Sequence, residues 1–247
     1  AKDKATGAKA HPQLLQEFGG AYEGPQAAYV TKVGQKIVSY SNVANAPSEF
    51  TVTLLNSPVN NAFAVPGGYI YVTRQLMALM NNEAELASVL GHEGGHIQGR
   101  HAQKRQSKAT LGGLGAIAAT VLGGVLAGSD GAKLGQQVGG SLATRYVMGY
   151  SRAQEFEADD YGVTYLAKAG YDPMAASSML ASLAAQTSLE TRMAGQGENN
   201  MPKWAMSHPD PASRVQRAAT KAQATKATGK TLNQDAFLNA LEGVLYD

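Results

Sequence analysis

The sequence predicts an α+β protein, predominantly helical, with a small antiparallel sheet packed beside one central helix. Three observations carry this expectation. Apolar residues recur at helical spacing over much of the chain, a period of two is confined to residues 50–72, and a clear helix start precedes His92-Glu93-Gly94-Gly95-His96. With 247 residues and 44% hydrophobic content, the chain can bury the core of one ordinary domain, taken here as 1–247.

The first fifty residues read as mostly helical, with Tyr29, Val30, Val33, Ile37 and Val38 on one face. Phe50, Val52 and Leu54 then alternate with Thr51 and Thr53. The run Asn61-Ala62-Phe63-Ala64-Val65, then Pro66-Gly67-Gly68, then Tyr69-Ile70-Tyr71-Val72 reads as a hairpin. Asn82 suits a helix cap, with Glu85 three residues on as in a capping box. Leu86, Val89, Leu90 and Ile97 supply the apolar face of that helix. Gly94 and Gly95 oppose it, each by about 1 kcal/mol relative to Ala, which a helix accepts more readily where a neighbour packs closely.

Residues 109–128 carry no charge, a length of about 20 residues that could span a bilayer, but six of them are Gly. Gly and Ala supply too little hydrophobicity for a span. We read an apolar hairpin or lid at about 109–150, with membrane-surface contact or oligomer packing as competing readings. A second helix starts after Ser151, with Gln154 in the capping-box position, and stops near Gly170, ahead of Pro173. Helical spacing continues to about residue 189, and 195–200 is a polar loop. Asp210-Pro211 opens a C-terminal helical segment from about 211, ending in an amphipathic turn with Phe237, Leu238, Leu241 and Leu245.

A formal charge of +2 without a basic run excludes an electrostatic nucleic-acid binder. There is no Cys, so any metal must be held by His, Asp or Glu, and the composition suits an oxidising compartment. The chain starts at Ala1 and lacks a signal-like apolar stretch, as expected if a targeting segment has been removed or the chain is trimmed.

The chemistry lies in His92-Glu93-Gly94-Gly95-His96. Positions four apart share a helical face, so His92 and His96 can direct two imidazole nitrogens at one zinc ion. Glu93 is placed to take a proton from a zinc-bound water as it attacks a peptide carbonyl. A third ligand must come from elsewhere, and Glu155 is the leading candidate against Glu157 or Asp160. Asp159, four residues after Glu155, can hydrogen-bond the free nitrogen of a ligand histidine, while Glu157 reads as a solvated charge. His11 and His101 read as structural. His208 and Arg214 lie around a new helix start, either aimed at the oxyanion of the attacked carbonyl or forming a capped turn with a surface ion pair.

These segments together resemble the metallopeptidase family of the CAAX prenyl proteases and HtpX heat-shock proteases, in its soluble bacterial envelope branch. The likeness runs through Asn61-Ala62-Phe63-Ala64 and Pro66 to Val72, the His92–His96 motif with Arg100-His101, Ser151-Arg152 with Glu155 to Asp159 and Gly162, Ala169 to Pro173, and Ser207-His208-Pro209 with Arg214. The resemblance implies a zincin-type core holding one zinc per chain on His92, His96 and Glu155. It also implies that His208 and Arg214 sit near the reacting carbonyl, and that an edge strand at Asn61, Ala62, Phe63 and Ala64 binds substrate backbone. The expected function is zinc-dependent endopeptidase action on unfolded or misassembled envelope proteins, in a periplasmic or envelope setting with envelope protein partners. The competing expectation is an envelope assembly or chaperone-like factor whose zinc site is latent, self-inhibited by His208.

Overall fold

A computed structural model describes residues 2–107, 149–194 and 203–244. The glycine-rich segment 109–128, the loop 195–200 and Leu245 lie outside the described residues.

Helix α1 (Lys2–Glu17) lays Ala10 and Leu14 on one face of a sheet, against Leu55, Phe63, Val65 and Tyr71. Helix α2 (Pro25–Val38) begins with proline at its first turn and buries Val30, Val33, Ile37 and Val38, the stripe read from the sequence. Strands β1 (Thr51–Leu55), β2 (Ala62–Val65) and β3 (Tyr69–Thr73) form a three-stranded sheet in the order β1-β3-β2. The Pro-Gly-Gly hairpin forms as read, pairing β2 with β3 antiparallel from Ala62↔Val72 to Val65↔Tyr69. The sheet is mixed, however, because β1 pairs parallel with β3, from Thr51↔Tyr69 to Leu55↔Thr73. Period-two alternation shows that a strand covers a core, not which neighbour it pairs with. β1 adds to the free side of β3, which leaves β2 at an edge of the sheet.

After the short α3 (Arg74–Met77), helix α4 (Glu83–Gln98) crosses the core between the sheet and the later helices. Asn82 caps it, accepting from Glu85 N–H at 3.0 Å, although the Glu85 carboxylate turns to Asn81 rather than back to the cap. Helix α5 (Arg152–Ala169) starts with a complete Ser151–Gln154 capping box and ends on left-handed Gly170. α4 and α5 pack closely where glycine permits it: a Cβ on Gly95 would lie 2.9 Å from Ala158 O. This contact explains Gly95; Gly94 instead faces α2, where a Cβ would lie 3.2 Å from Val38 Cγ1. Helices α6 (Ala175–Ala194), α7 (Lys203–Ser207), α8 (Pro211–Ala224) and α9 (Gln234–Leu241) complete the described chain. Of the last amphipathic turn, Phe237 is buried and Leu238 faces outward. No helix among the described residues is long and apolar enough to cross a membrane.

Candidate metal centre

Helix periodicity places His92 above His96 on α4 and Glu155 above Asp159 on α5, and the close α4–α5 contact turns these pairs towards each other. His208 joins them from the corner between α7 and α8. Its N–H donates to Trp204 O at 2.8 Å, and its ring stacks on Trp204 with centroids 4.2 Å apart. His92, His96, Glu155 and His208 are all buried, with one potential ligand atom from each within 4.8 Å of the others. The spacings are 3.0 Å from His92 Nε2 to His96 Nε2, 3.2 Å from His92 Nε2 to His208 Nδ1, and 3.3 Å from His96 Nε2 to Glu155 Oε1.

Proton bookkeeping tests whether these residues fit a cation. Asp159 as a carboxylate can only accept, so His92 Nδ1 donates to its Oδ1 at 2.9 Å and leaves a lone pair on Nε2. His96 Nδ1 lies 2.8 Å from His101 Nδ1, whose ring gives its other nitrogen to Glu157 Oε2 at 3.1 Å. By the same logic His96 Nε2 carries a lone pair. Two buried lone pairs facing each other at 3.0 Å repel unless a cation lies between them. The spacing is close to the roughly 3.3 Å between ligand atoms of a tetrahedral ion with bonds of about 2.0–2.1 Å. The donor set fits a divalent metal.

Peptidase family M48 is the family whose model matches residues 25–222. The chain belongs to family M48. It is 30% identical over 223 residues to the beta-barrel assembly-enhancing protease of Yersinia pestis, covering 87% of this chain and 42% of that protein. It is 32% identical over 202 residues to a putative beta-barrel assembly-enhancing protease of Vibrio cholerae, covering 79% and 39% respectively. A mitochondrial metalloendopeptidase of Schizosaccharomyces pombe, OMA1, is 28% identical over 181 residues, covering 72% of the chain and 50% of that relative. The chain therefore spans half or less of the length of these relatives.

Around the M48 centre the charges are arranged unevenly. Arg214, 1% exposed, gives Nε and Nη2 to Asp159 at 2.8 and 2.7 Å, and its Nη1 lies 2.5 Å from Glu155 Oε2. Burial pushes the Asp159 carboxyl up, but Arg214 and then His92 outweigh it and hold the group at about 2. Glu155 is likewise raised by burial and then drawn well below its usual range by His208 and Arg214. Burial and the facing His92 bring His96 down to about 3, which keeps it a neutral imidazole. Glu93 is fully buried. His208 Nε2 is 3.2 Å from its Oε1 but aims at Ala62 O, 3.1 Å away, so neither carboxylate oxygen of Glu93 holds a formed hydrogen bond.

The remaining residues singled out in the sequence fall as follows. Asn61 O accepts from Thr73 N–H, so the backbone of 61, 63 and 65 faces β3 and that of Ala62 and Ala64 faces the side of β2 that no described strand pairs. The Phe63 ring is buried against Tyr71 and Phe18 and offers nothing to that edge. Asn61 Oδ1 lies at the limit of reach of Ser207 Oγ, at 3.5 Å. Arg214 is committed to carboxylates rather than exposed at the open side of the centre. Asp160 pairs with Arg217, and His11 Nδ1 meets Tyr71 OH at 2.7 Å. Sequence reasoning missed Tyr150, which stacks on His96 with centroids 3.8 Å apart, and gave His101 and Glu157 no link to the site. The signal available for His101 was Gly99, a helix terminator just before it.

Proposed function

We propose that this M48 chain is a zinc-dependent endopeptidase that hydrolyses unfolded or misassembled proteins of the bacterial envelope. The observation that carries the reading is the convergence of His92, His96 and Glu155 beside a buried Glu93 whose carboxylate oxygens are left without hydrogen bonds. His92 Nε2, His96 Nε2 and a Glu155 oxygen are the metal ligands. Bound there, a zinc ion supplies a Lewis acid that brings the pKa of a water towards about 7 and polarises a carbonyl. Burial raises the Glu93 carboxyl, but the neighbouring His208 above all holds it below its ordinary range. Glu93 is therefore a carboxylate ready to accept a proton from the attacking water and return it to the leaving amine. Ala62 and Ala64 offer main-chain groups to an extended substrate at the edge of β2. Main-chain pairing accepts many sequences, which suits an unfolded polypeptide. Arg214 fixes Glu155 and Asp159; it is a positioning group rather than an oxyanion donor.

The relatives named for β-barrel assembly and the absence of Cys support the envelope setting and envelope protein partners. Zinc-loaded protein should cleave an unstructured polypeptide such as casein, stop when a chelator is added, and resume when zinc is returned. Cleavage that survives complete metal removal would sink this reading.

His208 favours a second reading, a latent site used in an assembly or chaperone-like role. Its Nδ1 holds the fourth corner of the cluster, and its Nε2 occupies the Ala62 carbonyl that a substrate strand needs. Substrate addition at this edge requires that ring to leave. His208→Ala separates the roles: faster cleavage marks the histidine as inhibitory, and lost cleavage marks it as a donor to the reacting carbonyl.

A further inference from the structure

α4 ends at Gln98, and the chain turns back at once, because Arg100 takes a left-handed backbone conformation with φ 53°. His101 starts the helical residues 101–107 and is returned onto the end of α4, where its ring is fully buried. A methyl on Gly99 would overlap that ring, so glycine is what leaves it room. Had α4 continued, a residue five positions after His96 would point well away from it. The turn instead brings His101 Nδ1 to 2.8 Å from His96 Nδ1.

The proton order along this chain of groups is fixed from its outer end. Glu157 accepts from His101 Nε2–H at 3.1 Å and from Tyr161 O–H at 3.2 Å, and its side chain is 42% exposed. His101 Nδ1 is then a lone pair, and it can only accept the Nδ1–H of His96. The two histidines of α4 are thus held differently. His92 donates directly to the carboxylate of Asp159, whereas His96 donates to a neutral imidazole backed by a surface carboxylate.

The structure assigns His101 and Glu157 as a positioning pair for His96. Through its Nδ1–H they fix the tautomer and ring direction that present Nε2 to the metal, and so they set how long the metal is held. This role rests on His96 being a ligand. Tyr150 supports the same ring from its face, with Arg105 lying 4.8 Å over the tyrosine.

The test compares wild type with His101→Leu, which fills the space without an acceptor, His101→Asn, whose amide oxygen restores one, and Glu157→Ala at the partly exposed end. Zinc release into excess chelator and the long-range 1H–15N imidazole spectrum of zinc-loaded protein are read together. We expect a slowly exchanging His96 Nδ1 proton in wild type, its loss in His101→Leu, and zinc release roughly 10- to 100-fold faster. His101→Asn should recover most of both. Glu157→Ala should release zinc a few-fold faster, and it keeps the test sharp if His101→Leu fails to fold. Unchanged release and an unchanged His96 resonance in folded variants overturn this inference alone. X-ray absorption of wild type showing fewer than two imidazoles on zinc overturns the ligand assignment beneath it.

Discussion

Helix α4 buries three glutamates, and the protein treats two of them, Glu83 and Glu93, in opposite ways. Glu83, in the first turn, accepts from Tyr29 O–H at 2.5 Å, Tyr171 O–H at 2.6 Å and Asn233 Nδ2 at 2.9 Å. Burial raises its carboxyl, while those donors and Lys36 bring it back below the ordinary value. The helix dipole also favours a negative charge at that end. Glu93, near the other end, has no formed hydrogen bond and is kept ionised against its burial chiefly by His208. A carboxylate that serves the fold is saturated with donors. The one proposed for the chemistry is left with free oxygens, and a neighbour, His208, must supply the compensating charge.

The strongest way to break this contrast is Glu93→Gln. It should slow casein cleavage by about 10²–10⁴-fold, while zinc content and melting temperature hold or rise; normal turnover would remove Glu93 from the chemistry. Next in size is Arg214→Met, which leaves Glu155 and Asp159 buried without their cation. Urea unfolding of the metal-free protein should show a loss of about 3–5 kcal/mol, and a loss near zero would mean the cluster does not depend on Arg214.

Acid tests the same compensation. Asp159 is depressed from 3.8 to about 2, so its contribution is present above about pH 4 and disappears as pH falls towards 2. In metal-free protein this amounts to about 2 kcal/mol, measurable as a falling urea midpoint that Asp159→Asn should flatten. The smallest effect belongs to the saturated end. Glu83→Gln should cost about 1 kcal/mol of stability and leave cleavage unchanged; a loss of cleavage without a loss of stability would erase the distinction between the two ends.

What was legible in the sequence was local. The Ser151–Gln154 box, the stop at Gly170 and the Pro-Gly-Gly hairpin each arise from a few adjacent residues, and each stands in the structure as read. Spacing alone also identified which side chains of α4 and α5 share a face. What stayed hidden depends on distant contacts. The parallel partner of β1 was set by how the hairpin sits, and the destination of Arg214 by α8 packing against α5. His101 was hidden for a different reason: its link to His96 requires the helix to end at Gln98 and Arg100 to reverse the chain. Past that reversal, helical alignment no longer relates His101 to His96.

Trp204 is the chain's single tryptophan, and it stacks on His208 at the corner of the centre that this histidine fills. Its indole is therefore an optical probe set against His208, the ring that in the proposed reading must leave before a substrate strand can pair with Ala62. A shift in emission when an extended peptide is added to Glu93→Gln protein would time that departure without any label, and its rate could be set directly beside the rate of cleavage.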